Sequence, residues 1–116
     1  MAAFYRVNFQ SATNEDLRQA FKLTDSDGVP VNLTGAALRM ELDNLANSDV
    51  VDASTANGRI VFTNASAGEF SLAVPAAVMS AISPGVYRHD LLLTRGDGSV
   101  QRVWEGTLTL NRGVTE

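Results

Sequence analysis

The clearest candidate for chemistry is a short acidic run, Asp25-Ser26-Asp27-Gly28. It resembles the opening of a calcium-binding loop, because hard cations prefer several carboxylate oxygens. The later ligands of such a loop are missing, above all a glutamate placed for bidentate binding. Asp43, Asp49 and Asp52 would add oxygens only if the segment that holds them folded back. The pattern therefore favours a solvated turn, and no metal site is predicted.

Two further candidates have ordinary structural explanations. Arg95-Gly96-Asp97 spells an integrin-type tripeptide, but Gly-Asp-Gly is common turn chemistry and predicts a hairpin turn. His89, the only histidine, alternates with Tyr87 and Leu91, so we expect it to face the core and bond to a backbone acceptor. No nucleophile elbow and no glycine-rich phosphate loop is present. The sequence therefore predicts a protein with no enzyme activity, no catalytic residue and no cofactor.

The composition excludes other function classes. The 116 residues include no cysteine, which rules out disulfides, thiolate nucleophiles and zinc–thiolate sites. A net charge of −4, from 13 acidic and 9 basic residues, disfavours nucleic-acid binding. No apolar run approaches the roughly 20 residues of a membrane helix, and the first nine residues do not resemble a secretory signal. We expect one soluble domain, synthesised and kept on the cytoplasmic side, with no membrane partner.

Strand periodicity identifies the elements that position these residues. Residues 85–93 and 99–111 alternate apolar and polar side chains around the turn at 95–98, which predicts a hairpin. Residues 59–63 and 69–74 form a second predicted hairpin, with Ile60 and Phe62 matched by Phe70, Leu72 and Val74. Further strands are predicted over residues 4–9, 17–24 and 37–42, and residues 31–33 form an edge or irregular strand because Pro30 precedes them.

The remaining segments are less regular. Asn44 to Gly58 lacks clear periodicity and predicts a long loop. Pro75 to Ile82 predicts a helix of about two turns, since proline suits the first turn and alanine favours helix. About seven or eight short strands at this spacing indicate an all-β fold, two antiparallel sheets packed face to face. We expect one β-sandwich domain over residues 1–116, with residues 1–16 and 112–116 at its periphery.

Gly85-Val86-Tyr87 resembles the start of strand F in immunoglobulin-like domains. The tyrosine hydroxyl of such domains bonds back to the backbone at a corner of the sandwich. The resemblance implies an immunoglobulin-like β-sandwich with a tyrosine corner at Gly85 and Tyr87. Kinship with antibody domains is not implied, because cysteines are absent and Trp104 lies on the last long strand and not on the third.

A wider resemblance covers roughly residues 17–110. It rests on seven segments in chain order: Val31-Asn32-Leu33-Thr34-Gly35-Ala36, Leu38-Arg39-Met40-Glu41-Leu42, Gly68-Glu69-Phe70-Ser71-Leu72, Pro84-Gly85-Val86-Tyr87, Leu91-Leu92-Leu93, Asp97-Gly98 and Gly106-Thr107-Leu108-Thr109-Leu110. They are similar to small immunoglobulin-like proteins of tailed bacteriophages, nearest to the N-terminal domain of phage baseplate upper proteins. The resemblance implies a structural protein of the virion, in the tail, baseplate or neck, that attaches a fibre or spike within a symmetric assembly.

Apolar residues outside the regular strands suggest where neighbouring subunits bind. The predicted contact surface consists of Phe4, Tyr5, Leu45, Val50 and Val51, although some of them would equally fit the core. Unpaired edge strands would offer further docking sites. We expect the partners to be fibre, spike, tail or neck subunits and further copies of the chain.

Two alternatives remain open at this point. One is a carbohydrate-binding or adhesion module that acts on the bacterial surface, for which exposed aromatic rings are typical. The other is a decoration protein of the phage head, which would bind its neighbours through strand edges and loops as the tail protein would.

Overall fold

The computed structural model describes residues 5–25, 27–44 and 49–113. Within these ranges it contains nine strands, namely β1 (Tyr5–Arg6), β2 (Phe9–Ala12), β3 (Leu17–Lys22), β4 (Ala37–Asp43), β5 (Asp49–Ser54), β6 (Ile60–Asn64), β7 (Glu69–Val74), β8 (Gly85–Thr94) and β9 (Val100–Asn111). A 3-10 turn at Ala65–Ala67 joins β6 to β7, and one short helix, α1 (Ala76–Met79), lies between β7 and β8.

The described strands form two sheets. The larger sheet has the order β1-β9-β8-β4-β5, with β2 also paired to β9, and the smaller sheet has the order β3-β7-β6. β1 and β2 run parallel to β9, whereas the other pairs are antiparallel. The chain passes between the sheets after β2, after β3, after β5 and after β7, which is the strand distribution of an immunoglobulin-like sandwich. The predicted all-β fold class is confirmed.

The strand β8 shows how alternation builds the core. Its inward side chains include Tyr87, His89 and Leu91, all buried, while Arg88 between them is exposed. In β9 both Val103 and Trp104 are buried, because the register with β8 shifts between Leu91 and Leu92 and leaves Val103 as an extra residue. The hairpin predicted over these two strands is confirmed, with the Arg95 amide donating to the Ser99 carbonyl at 2.9 Å.

An aromatic cluster fills the centre of the sandwich. The ring centroids of Phe21 and Trp104 are 4.7 Å apart, and those of Phe21 and Phe70 are 5.4 Å apart. Phe9 meets the edges of the Phe21 and Trp104 rings at 5.9 and 6.4 Å. Because these residues come from β2, β3, β7 and β9, the cluster joins both sheets, and each ring buries a large apolar area.

The long loop predicted from Asn44 to Gly58 is wrong over residues 49–54, which form β5. Val51 and Ala53 lie opposite Leu42 and Met40 of β4 and point into the core. The alternation is short and one of its inward positions is only an alanine, so it gives a weak strand signal. Pairing with the strongly periodic β4 decides the conformation.

The predicted helix from Pro75 to Ile82 is shorter in the structure. Only Ala76–Met79 is helical, and the turn that follows contains bonds of the 3-10 type, such as the Ala81 amide to the Val78 carbonyl at 3.2 Å. Met79 is fully buried and anchors α1, while Val78 and Ile82 are only partly buried. No described helix is long and apolar enough to cross a membrane.

The predicted first strand is divided into β1 and β2 by a break at Val7 and Asn8. Asn8 Oδ1 accepts hydrogen bonds from the Thr107 amide and hydroxyl at 3.1 and 3.2 Å. A Cβ on Gly106 would lie 1.7 Å from the Val7 carbonyl oxygen, so the close approach of β9 to this break requires glycine. Phe4, which the prediction included, lies outside the described residues.

Candidate functional site

The structure does not bring the predicted contact residues together. Phe4 and Leu45 lie outside the described ranges, and only the backbone of Tyr5 and Val50 is described. Tyr5 belongs to β1 and Val50 to β5, at opposite edges of the larger sheet. Val51 is 4% exposed and points into the core, so its side chain is not part of a contact surface. The prediction missed this because it treated residues 44–58 as a loop.

Tyr87 makes the corner bond that the immunoglobulin-like resemblance implies. The residue is buried, and its hydroxyl donates a hydrogen bond to the carbonyl oxygen of Ser83, four residues earlier. Gly85, at the start of β8, has a φ of 154°, a conformation that residues with a side chain rarely adopt. The bond joins the segment after α1 to the start of β8, so the role of Tyr87 is structural.

His89 is buried among backbone and aromatic groups. Its Nε2 lies 3.2 Å from the Thr107 carbonyl oxygen, and its ring lies 4.9 Å from that of Phe9. Burial lowers the pKa of His89 from its ordinary 6.5, and the backbone of Thr107 and Val7 and the charge of Asp90 offset this only in part. The imidazole is 5% exposed and packs against the core, as the alternation predicts.

The two acidic turn motifs use their carboxylates to hold the turn. Asp97 Oδ1 accepts hydrogen bonds from the Ser99 amide at 2.9 Å and from its hydroxyl at 2.7 Å, which lowers the pKa of Asp97. Asp25 Oδ1 accepts bonds from the amides of Asp27 and Val29 at 2.9 and 3.0 Å. Within the described ranges no three metal-ligating side chains come together. Both motifs are therefore turn chemistry in this structure.

The outer face of the larger sheet carries an ordered row of charges. Four carboxylates lie opposite one another across four strands: Asp52, Glu41, Asp90 and Glu105. Like charges in such positions repel, and arginines offset them: Arg39 Nε lies 3.3 Å from Asp52, and Arg102 Nε lies 3.4 Å from Asp90. The row borders a shallow groove of about 390 Å³. Because these ion pairs are exposed to solvent, each contributes little to the free energy of folding.

The edge of the larger sheet at β5 is closed by side chains. The amide of Thr55, which follows β5, donates to the carbonyl of Leu38 in β4 at 2.9 Å, so the backbone groups of Asp52 and Ser54 point away from the sheet. The Asp52 carbonyl accepts hydrogen bonds from Asn57 Nδ2 and Arg59 Nη1, both at 2.8 Å, and the Ser54 amide donates to Asn57 Oδ1 at 3.0 Å. A further strand would find these groups occupied.

The edge of the smaller sheet at β3 is open. The Leu23 amide donates to the Gly68 carbonyl on the β7 side at 2.9 Å, so alternation turns the backbone groups of Arg18, Ala20 and Lys22 away from β7. Among the residues that the structure describes, these outward amides and carbonyls have no hydrogen-bond partner. The side chains of Arg18, Gln19 and Ala20 are all exposed, so the edge is accessible.

The other described edges offer less continuous backbone. β6 is interrupted by a register shift between Phe62 and Asn64, and the break at residues 7–8 divides the β1–β2 edge. The open edge of β3 is therefore the best candidate site for a partner. Sequence analysis predicted docking at edge strands but not at this one; its signal is the two basic side chains on β3, since charged residues are typical of edge strands.

Comparison with known proteins supports the fold. No protein-family model and no curated protein sequence matches the chain. CopC from Methylosinus trichosporium OB3b matches it with a TM-score of 0.51 and 11% identity, over 93% of this chain and 89% of CopC. A chain in the crystal structure of ICOS in complex with ICOS-L and an anti-ICOS-L VNAR domain matches with a TM-score of 0.52 and 14% identity, over 95% of this chain and 56% of that chain. At these identities the likeness shows the fold alone, and the chain is an immunoglobulin-like β-sandwich.

Proposed function

We propose that this chain is a non-enzymatic structural protein of a tailed-phage virion, located in the tail, baseplate or neck, that joins a neighbouring subunit at the open edge of β3. The placement in a virion is supported by the resemblance of seven strand-and-turn segments to phage immunoglobulin-like proteins. The mode of attachment is supported by the unpaired backbone of β3.

The open edge is the observation that carries the proposal. An extended segment of a partner satisfies exposed amides and carbonyls when it adds a strand to a sheet, and main-chain hydrogen bonds then provide affinity. Arg18, Ala20 and Lys22 offer both backbone groups toward such a strand. On β5 the Asp52 carbonyl already accepts from Asn57 and Arg59, and the Ser54 amide donates to Asn57, so this edge offers a partner fewer free backbone groups.

The carbohydrate-binding alternative has less support. A sugar platform needs exposed aromatic rings, but Trp104 is 2% exposed and Tyr87 is 6% exposed. Phe9 and Phe70 are buried as well. These rings stabilise the sandwich and are not available to a glycan.

The test combines purified virions with a single substitution at the open edge. Ala20→Pro removes the outward amide of residue 20 and leaves the bonds to β7 intact, since proline is tolerated on the free side of an edge strand. Ala20→Ser is the matched control, because it changes the same side chain and keeps the amide. Mass spectrometry would measure how much of each variant is present in virions purified from cells that express the gene for that variant. Trp104 fluorescence would check that each variant is folded.

We expect the wild-type chain and Ala20→Ser in particles at a fixed ratio to the tail proteins, and Ala20→Pro reduced at least about ten-fold, the equivalent of one or more lost hydrogen bonds. Particles without the chain would refute the virion assignment. Folded Ala20→Pro incorporated as well as Ala20→Ser would refute attachment through β3.

A further inference from the structure

We infer that the strand added at β3 is β3 of a second copy of this chain, paired antiparallel about a two-fold axis that passes through Gln19. The inference rests on the function proposed above, because it names the partner of the same edge. Two copies joined in this way would form one continuous sheet from their two smaller sheets.

Charge disfavours several registers of this pairing. In an antiparallel pair with two-fold symmetry, the residues on either side of the axis face each other. An axis at Ala20 would place Arg18 opposite Lys22, and an axis at Arg18 or at Lys22 would place that residue opposite its own copy. Like charges directly opposite each other destabilise a sheet. These three registers are therefore disfavoured.

An axis at Gln19 produces complementary neighbours. Arg18 then lies opposite Ala20, and the two residues turn their open backbone groups toward each other. The two symmetric pairs give about four backbone hydrogen bonds between the copies. On the inner side Leu17 lies opposite Phe21, an apolar pair at the rim of the core. An axis at Phe21 pairs no opposite charges, since it places Lys22 opposite Ala20.

The same register brings an acid to an exposed base. Asp16, next to β3, falls opposite Lys22 of the other copy. The Asp16 carboxylate is held in place by the Ala76 amide, which donates to its Oδ1 at 2.7 Å, and it remains 42% exposed. Lys22 is exposed and makes no hydrogen bond or ion pair with the described residues. Opposite charges across a strand pair stabilise it, and the two-fold axis forms this pair twice.

Cysteine cross-linking tests both the partner and the register. The chain has no cysteine, so a single introduced cysteine can form a disulfide only with the same cysteine of a second copy. With the axis at Gln19, the two copies of this residue form a non-hydrogen-bonded pair about 4.5 Å apart, within the range for a disulfide. The two copies of Ala20 are then diagonal neighbours about 7–8 Å apart, beyond that range. Both positions are exposed, which makes Gln19→Cys and Ala20→Cys matched variants.

We expect Gln19→Cys to form a disulfide dimer at least about ten-fold faster than Ala20→Cys under mild oxidation. Sedimentation equilibrium of the wild-type chain should show a dimer. Faster cross-linking of Ala20→Cys would refute the register and the charge argument. Equal, slow cross-linking of a monomeric chain would refute the second copy as the partner, while a foreign subunit at β3 would still be detected by the virion experiment. Rapid cross-linking of Gln19→Cys together with absence from virions would instead refute the proposed function alone.

Discussion

The hydroxyl of Tyr87 provides a quantitative test of the corner. Tyr87→Phe removes the hydrogen bond to the Ser83 carbonyl and leaves the buried ring in place. One such bond contributes about 1 kcal/mol net. Because Ser83 is exposed, its carbonyl regains water in the variant, and the larger penalty of a buried, unpaired acceptor does not apply. We expect the free energy of unfolding to fall by about 1 kcal/mol and the transition temperature by about 4 °C.

Urea unfolding followed by the fluorescence of Trp104 measures this change. Trp104 is the only tryptophan and is 2% exposed, so its emission reports on the loss of the core. Thr109→Val is the control, since it removes a hydroxyl that makes no hydrogen bond with the described residues, and it should stay within about 0.5 kcal/mol of the wild type. If Tyr87→Phe also stays within that range, the corner bond does not stabilise the sandwich.

Two further predictions concern the N-terminal strands and the core beneath them. Since burial lowers the pKa of His89 below 6.5, the unfolded chain binds a proton at higher pH than the folded chain, and stability falls as the pH drops through 6.5 toward the folded pKa. The urea midpoint of the wild type should therefore decrease as the pH is lowered from about 7.5 to about 5.5. The decrease should be smaller for His89→Leu, and an equal decrease in both proteins would contradict this assignment. Gly106→Ala places a Cβ 1.7 Å from the Val7 carbonyl oxygen, so hydrogen exchange of the Val7 amide, bonded to Glu105 at 2.9 Å, should accelerate. Gly96→Ala, with its nearest atom at 3.7 Å, is the control, and unchanged protection of Val7 in Gly106→Ala would count against the close approach.

Strong local signals predicted most of the sandwich. The hairpin of β8 and β9 and the pairing of Ile60 and Phe62 with Leu72 and Phe70 follow from alternation and turn residues, and both are confirmed. The corner at Tyr87 follows from a resemblance in sequence, and the structure contains its bond. The strand β5 was missed because its inward residues, Val51 and Ala53, give a short and weak pattern.

The sequence predicts the kind of candidate site but not its position in the fold. Docking at an unpaired strand is expected from the sequence, but the two basic side chains on β3 indicate only that this strand suits an edge, not that its edge is open. Asn57 and Arg59, which follow β5, close its edge by donating hydrogen bonds to the Asp52 carbonyl. The edge of β3 is open because β1 and β2 pair with β9.

Most inward-facing residues follow from the amino-acid sequence, because alternation along a strand is a local property of the extended backbone. The sequence therefore determined the all-β class and the positions of the main turns. Which strands lie at the edges, and which of their amides remain open, depends on the folded arrangement of the sheets. That choice depends on pairings between distant segments, such as β2 with β9, whose free energy arises when the sheets close over the aromatic cluster of Phe9, Phe21, Phe70 and Trp104.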